Sequence, residues 1–248
     1  MRKDTYDIEW TLEKSHWWFT GRRRIFKTLL SSLMIRDGST VLDVGCGVGS
    51  NLFLLQSMGF KVVGIDSEIY SLFFAQKNSL VPLINADLLT LPIKSNSAEL
   101  IVAADILEHL EKDDRGIKEM YRVLERMGKV MITVPAFQAL WGTQDMVGMH
   151  KRRYVKKELL KKMEQEGFTI LRSSYFNFLL FFPILFTRWL IRFCGLKIES
   201  ENKINHPLIN LFLKSIFSLE SYLLRYISFP FGVSIFCVAI KDRGLLDE

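Results

Sequence analysis

The sequence predicts an α/β protein, βαβ units building a parallel sheet. Short apolar runs alternate with helical stretches, about one βα unit apart. A glycine-rich turn follows the first run. Four runs end in, or are soon followed by, an aspartate. In order along the chain, residues 5–34 read as a helix that Gly21 interrupts without ending. Thr40–Val44 reads as a buried strand and Asn51–Ser57 as the helix after it. Lys61–Ile65 is a β-branched strand closed by Asp66, and Ser71–Asn78 is helical. Val81–Asn85 and Leu100–Ala104 are strands. Lys112–Arg126 is an amphipathic helix with Gly128 as its stop. Lys129–Val134 is the fifth strand, ended by Pro135.

With 248 residues and 49% hydrophobic side chains, the chain suits one domain carrying insertions or a small cap, and a disordered chain is excluded. Its three cysteines, Cys46, Cys194 and Cys237, form no C-x-x-C pair. That argues against a disulfide framework and against a cysteine zinc site, and it fits a reducing, cytoplasmic compartment. The opening MRKDTYDIEW is charged and lacks an apolar core, so no secretory signal is expected. The longest uncharged stretches, Ser173–Thr187 and Tyr226–Ile240, are 15 residues each. Both fall short of the roughly 20 needed to cross a bilayer.

Charge is segregated. Residues 1–36 carry net +4, residues 37–149 net −5, residues 150–225 net +8 and residues 226–248 net −1. The second basic segment is also the most apolar part of the chain. Basic and apolar together suit an anionic membrane surface or an amphipathic acceptor better than nucleic acid. A solvated basic face beside an ordinary core is the alternative.

VLDVGCGVGSN, Val41 to Asn51, is the strongest local signal. In a strand, glycine turn and helix, the backbone approaches a ligand closely and the helix start offers free N–H groups. A dinucleotide fingerprint would read G-x-G-x-x-G/A. Here Gly45 and Gly47 are followed by Ser50, with an extra Gly49, and Asp43 sits inside the strand end. A carboxylate there repels a pyrophosphate and suits a cationic ligand. Asp43, Asp66, Asp87 and Asp105 lie 23, 21 and 18 residues apart, which would line one rim of a parallel sheet.

These residues resemble motif I of class I S-adenosylmethionine-dependent methyltransferases. GIDSE, NADLLTLP, AADILEHL and RVLERMGKVMITVPA resemble that family's later motifs in order, over about residues 38–136. E-R-M-G stands where the family usually has K-P-G-G. The resemblance implies a Rossmann-like fold with a seven-stranded, mostly parallel sheet and an antiparallel last strand. It implies S-adenosyl-L-methionine as cofactor, held by Asp43, Val44, Gly45, Cys46, Gly47, Gly49, Asn51, Asp66, Ser67, Asp87, Leu88, Asp105 and Ile106. Asp66 would bond the ribose hydroxyls, Asp87 would reach the adenine amino group beside Leu88, and Asp105 and Ile106 would lie near the methionine end. Family order puts a sixth strand at Phe168–Ser174 and a seventh at Phe231–Lys241. The organisation is then an N-terminal helical lid (1–36), a cofactor-binding core (37–174), a hydrophobic helical insertion (175–230) and a last strand with a tail (231–248).

EKSHWWFTGRRRIF and LWGTQDMVGMHKRRYVKKEL resemble a subgroup associated with polysaccharide and lipid-linked-sugar gene neighbourhoods. The insertion could be a cap over a lipidic acceptor or on a membrane, a pair of packing helices, or a dimer interface. Monomer and dimer both remain open. Methyl transfer needs orientation and, for an acceptor of high pKa, a base. His109 and His150 are the catalytic candidates, with Tyr154 and Glu108 weaker. Trp18, Arg22, Arg23, Trp141, Arg153 and Tyr154 are the substrate-binding candidates, the arginines for a phosphate or carboxylate. D-x-x-E-H over Asp105, Glu108 and His109, with His150, could hold a divalent ion, but no metal is expected. The predicted activity is O-methylation of a small or lipid-linked acceptor. The alternatives are a membrane-peripheral cofactor-binding protein without catalysis and an RNA methyltransferase.

Overall fold

Leu42, Val44, Leu100–Ala103 and Val130–Ile132 are buried almost without exception. Strands of that composition must be covered on both faces, and here they are. The computed structural model describes residues 12–194 and 207–242. Its strands are β1 (Thr40–Val44), β2 (Lys61–Asp66), β3 (Leu83–Asn85), β4 (Ala98–Ala104), β5 (Leu124–Pro135), β6 (Phe168–Phe176) and β7 (Ser234–Lys241). Its α-helices are α1 (Trp17–Ser31), α2 (Ser50–Ser57), α3 (Ile69–Asn78), α4 (Asp113–Val123), α5 (Thr143–Val147), α6 (Lys156–Gln165), α7 (Phe181–Phe193) and α8 (Pro207–Leu223).

The sheet order is β3-β2-β1-β4-β5-β7-β6. β3, β2, β1, β4 and β5 pair in parallel, and β7 runs antiparallel to both β5 and β6. The order reverses between β1 and β4, which is where open α/β sheets bind ligands. Residues that follow strand ends therefore converge there: Gly45 after β1, Ser67 after β2 and Asp105 after β4. The antiparallel β7 brings Ser234 opposite both Pro135 and Phe176, so the end of β6 joins the same rim.

α1 packs on α8, and the two share a close approach at Gly21. A Cβ placed there would meet the Phe217 ring at 2.0 Å. Phe217 is fully buried and stacks on Trp18 with centroids 5.5 Å apart. Burying a phenylalanine contributes about 1.5–3 kcal/mol, enough to fix how the first and last helices meet.

Several boundaries differ from the sequence reading. The helix expected to Arg126 ends at Val123, and Leu124–Pro135 is one long strand. Ser97 and Asn96 donate to the carbonyls of Val123 and Arg122, and Leu124 pairs with Ala98 ahead of a register shift, so pairing with β4 captures the segment. Met127, at φ 65, takes the left-handed turn. β6 runs on to Phe176, so the insertion begins two residues later than expected, and β7 starts at Ser234 instead of Phe231. β3 begins at Leu83 instead of Val81. The N-terminal helix over 5–34 is a helix at Trp17–Ser31, capped by His16, and its first residues lie outside the described ones.

Candidate functional site

A cavity of about 1150 Å³ lies over the carboxyl ends of β1, β2 and β4. One wall is the rim: Val44, Gly45, Cys46, Gly47, Asn51, Asp66, Ser67, Asp87, Leu88, Asp105 and Ile106 all line it. Asp43 and Gly49, also expected at the ligand, stand behind this wall. Asp43 is fully buried, and neither of its carboxylate oxygens has a hydrogen-bond partner among the described residues. Burial pushes its pKa up to about 7, against the pull of the Arg22 guanidinium. Asp66 accepts from the Gly47 and Glu68 amides, both at 2.8 Å, which leaves oxygen lone pairs for a ligand. Asp87 accepts from the Leu89 amide at 2.9 Å through one oxygen.

The lid closes one side. Arg22 forms an ion pair with Asp105, and Thr133 donates to the same carboxylate at 3.1 Å. Glu13 accepts from the Ser50 hydroxyl at the start of α2. Trp18 and Arg22 line the cavity as expected for contact residues, but Arg23 does not. Its guanidinium donates to the Glu13 carbonyl at 2.6 Å and holds the lid to itself.

The opposite wall comes from the loop after β5. His150 Nδ1 lies 2.9 Å from Asp145 Oδ1. Asp145 is fully buried and also accepts from Arg153 Nε at 2.8 Å and the Gly142 amide at 2.7 Å. Burial raises its pKa, but His150 and Arg153 outweigh burial and leave it down at about 2. An ionised Asp145 only accepts, so His150 Nδ1 is the donor of this pair and Nε2 is the nitrogen left toward the cavity. Nε2 lies 4.0 Å from Glu108 Oε1. Glu108 is fully buried and its oxygens have no hydrogen-bond partner among the described residues. Burial, then the Asp105 charge, raises its pKa well above the carboxylate range. His109 packs edge-on to His150 with centroids 4.8 Å apart. Burial and His150 lower its pKa to about 4.

Glu108, His109 and His150 can place one donor atom each within 4.8 Å of one another, so three of the four residues weighed as metal ligands do meet. Asp105, the fourth, is committed to Arg22 and Thr133.

Besides Asp43, Gly49 and Arg23, two more expected site residues lie off the cavity. Tyr154 is fully buried, with its hydroxyl 2.7 Å from Asp113 and 3.2 Å from the Leu107 carbonyl. Burial and Asp113 push its pKa up, so it serves as neither base nor contact. Trp141 does not line the cavity; its carbonyl accepts from Arg192 at 2.8 Å. Arg153 lines the cavity but is spent on Asp145 and the Ala136 carbonyl.

The sequence reading missed Asp145, Glu13, His16 and Asn177. Asn177, just past β6, is fully buried on the cavity wall, and neither amide atom has a hydrogen-bond partner among the described residues.

Residues 42–132 match the family model described as "Methyltransferase domain". Phosphoethanolamine N-methyltransferase 1 of Zea mays is 31% identical over 120 residues, 46% of this chain and 24% of that protein. A probable S-adenosylmethionine-dependent methyltransferase of Mycobacterium tuberculosis is 27% identical over 125 residues, 50% of this chain and 44% of that protein. The chain thus spans less than half the length of these curated relatives. Among solved structures, Haemonchus contortus phosphoethanolamine N-methyltransferase 2 in complex with S-adenosyl-L-methionine aligns with a TM-score of 0.58. It is 17% identical and covers 86% of this chain and 51% of that one, a likeness of fold. Over residues 42–132 the chain is thus similar to methyltransferase domains, among them that of a probable S-adenosylmethionine-dependent enzyme.

The residues of this cavity fit S-adenosylmethionine on their own geometry. Asp66 presents carboxylate lone pairs to the cavity, and the buried carboxyl of Asp43 lies behind the same wall, a setting suited to a cationic ligand. Gly47 sits at φ +54, and a Cβ there would project into open space, so the backbone is accessible to a ligand. The Asn51 side-chain oxygen beside it is also unpartnered.

Proposed function

We propose that this protein transfers the methyl group of S-adenosyl-L-methionine to an oxygen of a small or lipid-linked, amphipathic acceptor, with His150 as the base. One observation carries the reading. The glycine turn and acidic rim form one wall of a single cavity, and the His150–Asp145 pair stands on the other. Bound S-adenosylmethionine supplies an activated methyl group on a positively charged sulfur. Asp66 would hold the ribose hydroxyls, Asp87 and Leu88 the adenine, and Asp105 would lie at the methionine end, with Asp43 behind it.

His150 Nε2 takes the acceptor proton as the acceptor oxygen gains the methyl group. Asp145 holds the imidazole in the required tautomer and stabilises its charged form. His109 is the weaker base because burial holds it neutral at pH values well below 7. Glu108, whose carboxyl burial biases toward the neutral form, and Asn177 offer hydrogen bonds to the polar end of the acceptor. Leu180, Ile184, Ile191 and Leu213 face its apolar part.

The test is calorimetric titration with S-adenosylmethionine and S-adenosylhomocysteine, followed by methyl transfer to lipid extracts and lipid-linked sugars. Cofactor binding with transfer that His150→Ala abolishes supports the reading. Transfer that survives His150→Ala removes the base, and the absence of binding removes the cofactor site.

A further inference from the structure

α7 turns one face to the cavity through Ile184, Thr187, Arg188 and Ile191. Its other face carries Phe182, Phe186, Trp189 and Phe193, exposed by 63%, 61%, 54% and 76%. These four are spaced four, three and four apart, one stripe of a helix. The last three touch in sequence: Phe186 and Trp189 have centroids 6.1 Å apart, Trp189 and Phe193 5.3 Å. None of the thirteen residues of α7 is buried. α8 repeats the arrangement. Ile209 and Leu213 line the cavity, while Leu208, Leu211, Phe212, Leu219 and Tyr222 are exposed. Single exposed apolar residues are ordinary, but two full stripes on helices that wall one cavity are not.

Charge selects the occupant. Across residues 177–194 and 207–230 the basic side chains are Arg188, Arg192, Lys214 and Arg225. The sole acidic one there, Glu220, is fully buried and accepts from the Phe178 amide at 2.9 Å. Arg192 and Arg225 are exposed. Exposed charge on this region is therefore cationic, beside rings suited to a headgroup boundary. A second copy of the chain would set like charges against each other. No helix among the described residues is long and apolar enough to cross a bilayer.

We propose that the outward faces of α7 and α8 dock on an anionic lipid surface, with the aromatic stripe of α7 lying in the headgroup layer. Docking places the cavity next to the layer from which an amphipathic acceptor would come. This inference stands on the exposed faces and does not require the proposed methyl transfer.

Flotation of the full chain with phosphatidylcholine vesicles, with and without phosphatidylglycerol, tests it in the absence of any cofactor. The expected result is binding to phosphatidylglycerol vesicles at low salt that weakens as salt rises. Phe186→Ser with Trp189→Ser should weaken binding about tenfold or more, as apolar contact is lost. Lys214→Glu with Arg225→Glu should weaken it about thirtyfold or more, at roughly 1 kcal/mol per cation removed. Both variants should retain the wild-type affinity for S-adenosylhomocysteine, which shows that they are folded. Flotation without binding to either vesicle at low salt overturns the proposal. So does a wild-type dimer in sedimentation that Phe186→Ser with Trp189→Ser converts to monomer, since the occupant is then a second copy. Cofactor binding without vesicle binding defeats docking alone; vesicle binding without cofactor binding defeats the methyl-transfer reading alone.

Discussion

The rim and the opposing loop are two walls of one cavity, held by different means. The rim is set by backbone: strand ends in fixed parallel register and a glycine turn place Asp66 and Asp87, whose oxygens accept amide N–H groups close by in the same wall. The loop wall is set by side chains. Asp145, buried and ionised, gathers His150, Arg153 and the Gly142 amide, and Ala136 bridges to Tyr154. A wall built on sheet register tolerates exchange of its side chains better than a wall built around one buried charge. Changes to the rim should therefore alter ligand affinity, and changes to the loop should alter chemistry.

His150→Ala is the largest expected break in that comparison. Turnover should fall by about 10²–10⁴ while calorimetry finds S-adenosylhomocysteine affinity unchanged. Equal loss of both would mean that the walls are one unit. Next, Asp66→Ala should weaken S-adenosylmethionine binding about tenfold or more, as one or two charged hydrogen bonds go. Wild-type affinity in that variant would remove the ribose assignment.

A smaller effect comes from Asp43. Its raised folded pKa means that the folded state holds its proton between about pH 4 and 7 while the unfolded chain releases it. Stability of the cofactor-free protein should fall across that window, and S-adenosylmethionine affinity should rise severalfold between pH 6 and 8 as Asp43 ionises. Asp43→Asn should flatten both curves, measured by denaturant unfolding and titration. The smallest expected effect is that of chelation. If Glu108, His109 and His150 handle protons, EDTA leaves turnover unchanged; loss of turnover restored by added divalent ion would reassign the cluster to a metal.

The rim was legible because its residues lie at strand ends, where position in sequence fixes position in space. Asp43, Gly47, Asp66 and Asp87 needed only the βα period and the chemistry of a cationic ligand. Asp145 left no such mark. It sits five residues before His150 in a loop, and only its burial and its convergence with Arg153 reveal what it does. Asn177 follows β6, whose register is set by β7 58 residues further on, so no local pattern announces it. The end of α4 was misread because the amphipathic pattern continues past Val123, while pairing with Ala98 and the turn at Met127 win. Tyr154 and Trp141 were read from the segment 140–159 after the fifth strand, where sequence does not say which side chains face the cavity. Tyr154 is taken by Asp113, and Trp141 is absent from the cavity lining.

The cavity wall runs from Glu13 to Ser234, and the helix that seats Gly21 of α1 ends at Leu223. During synthesis the glycine turn leaves the ribosome more than 160 residues before Leu213, a delay on the order of ten seconds at typical elongation rates. For that interval Trp17, Trp18 and Gly21 lack the Phe217 ring that packs on them, and the lid helix α1 has no α8 to hold it over the rim. The nascent chain thus carries an open, apolar-edged platform until its last quarter arrives, and the time of greatest exposure to wrong partners is set by the position of α8 in the chain.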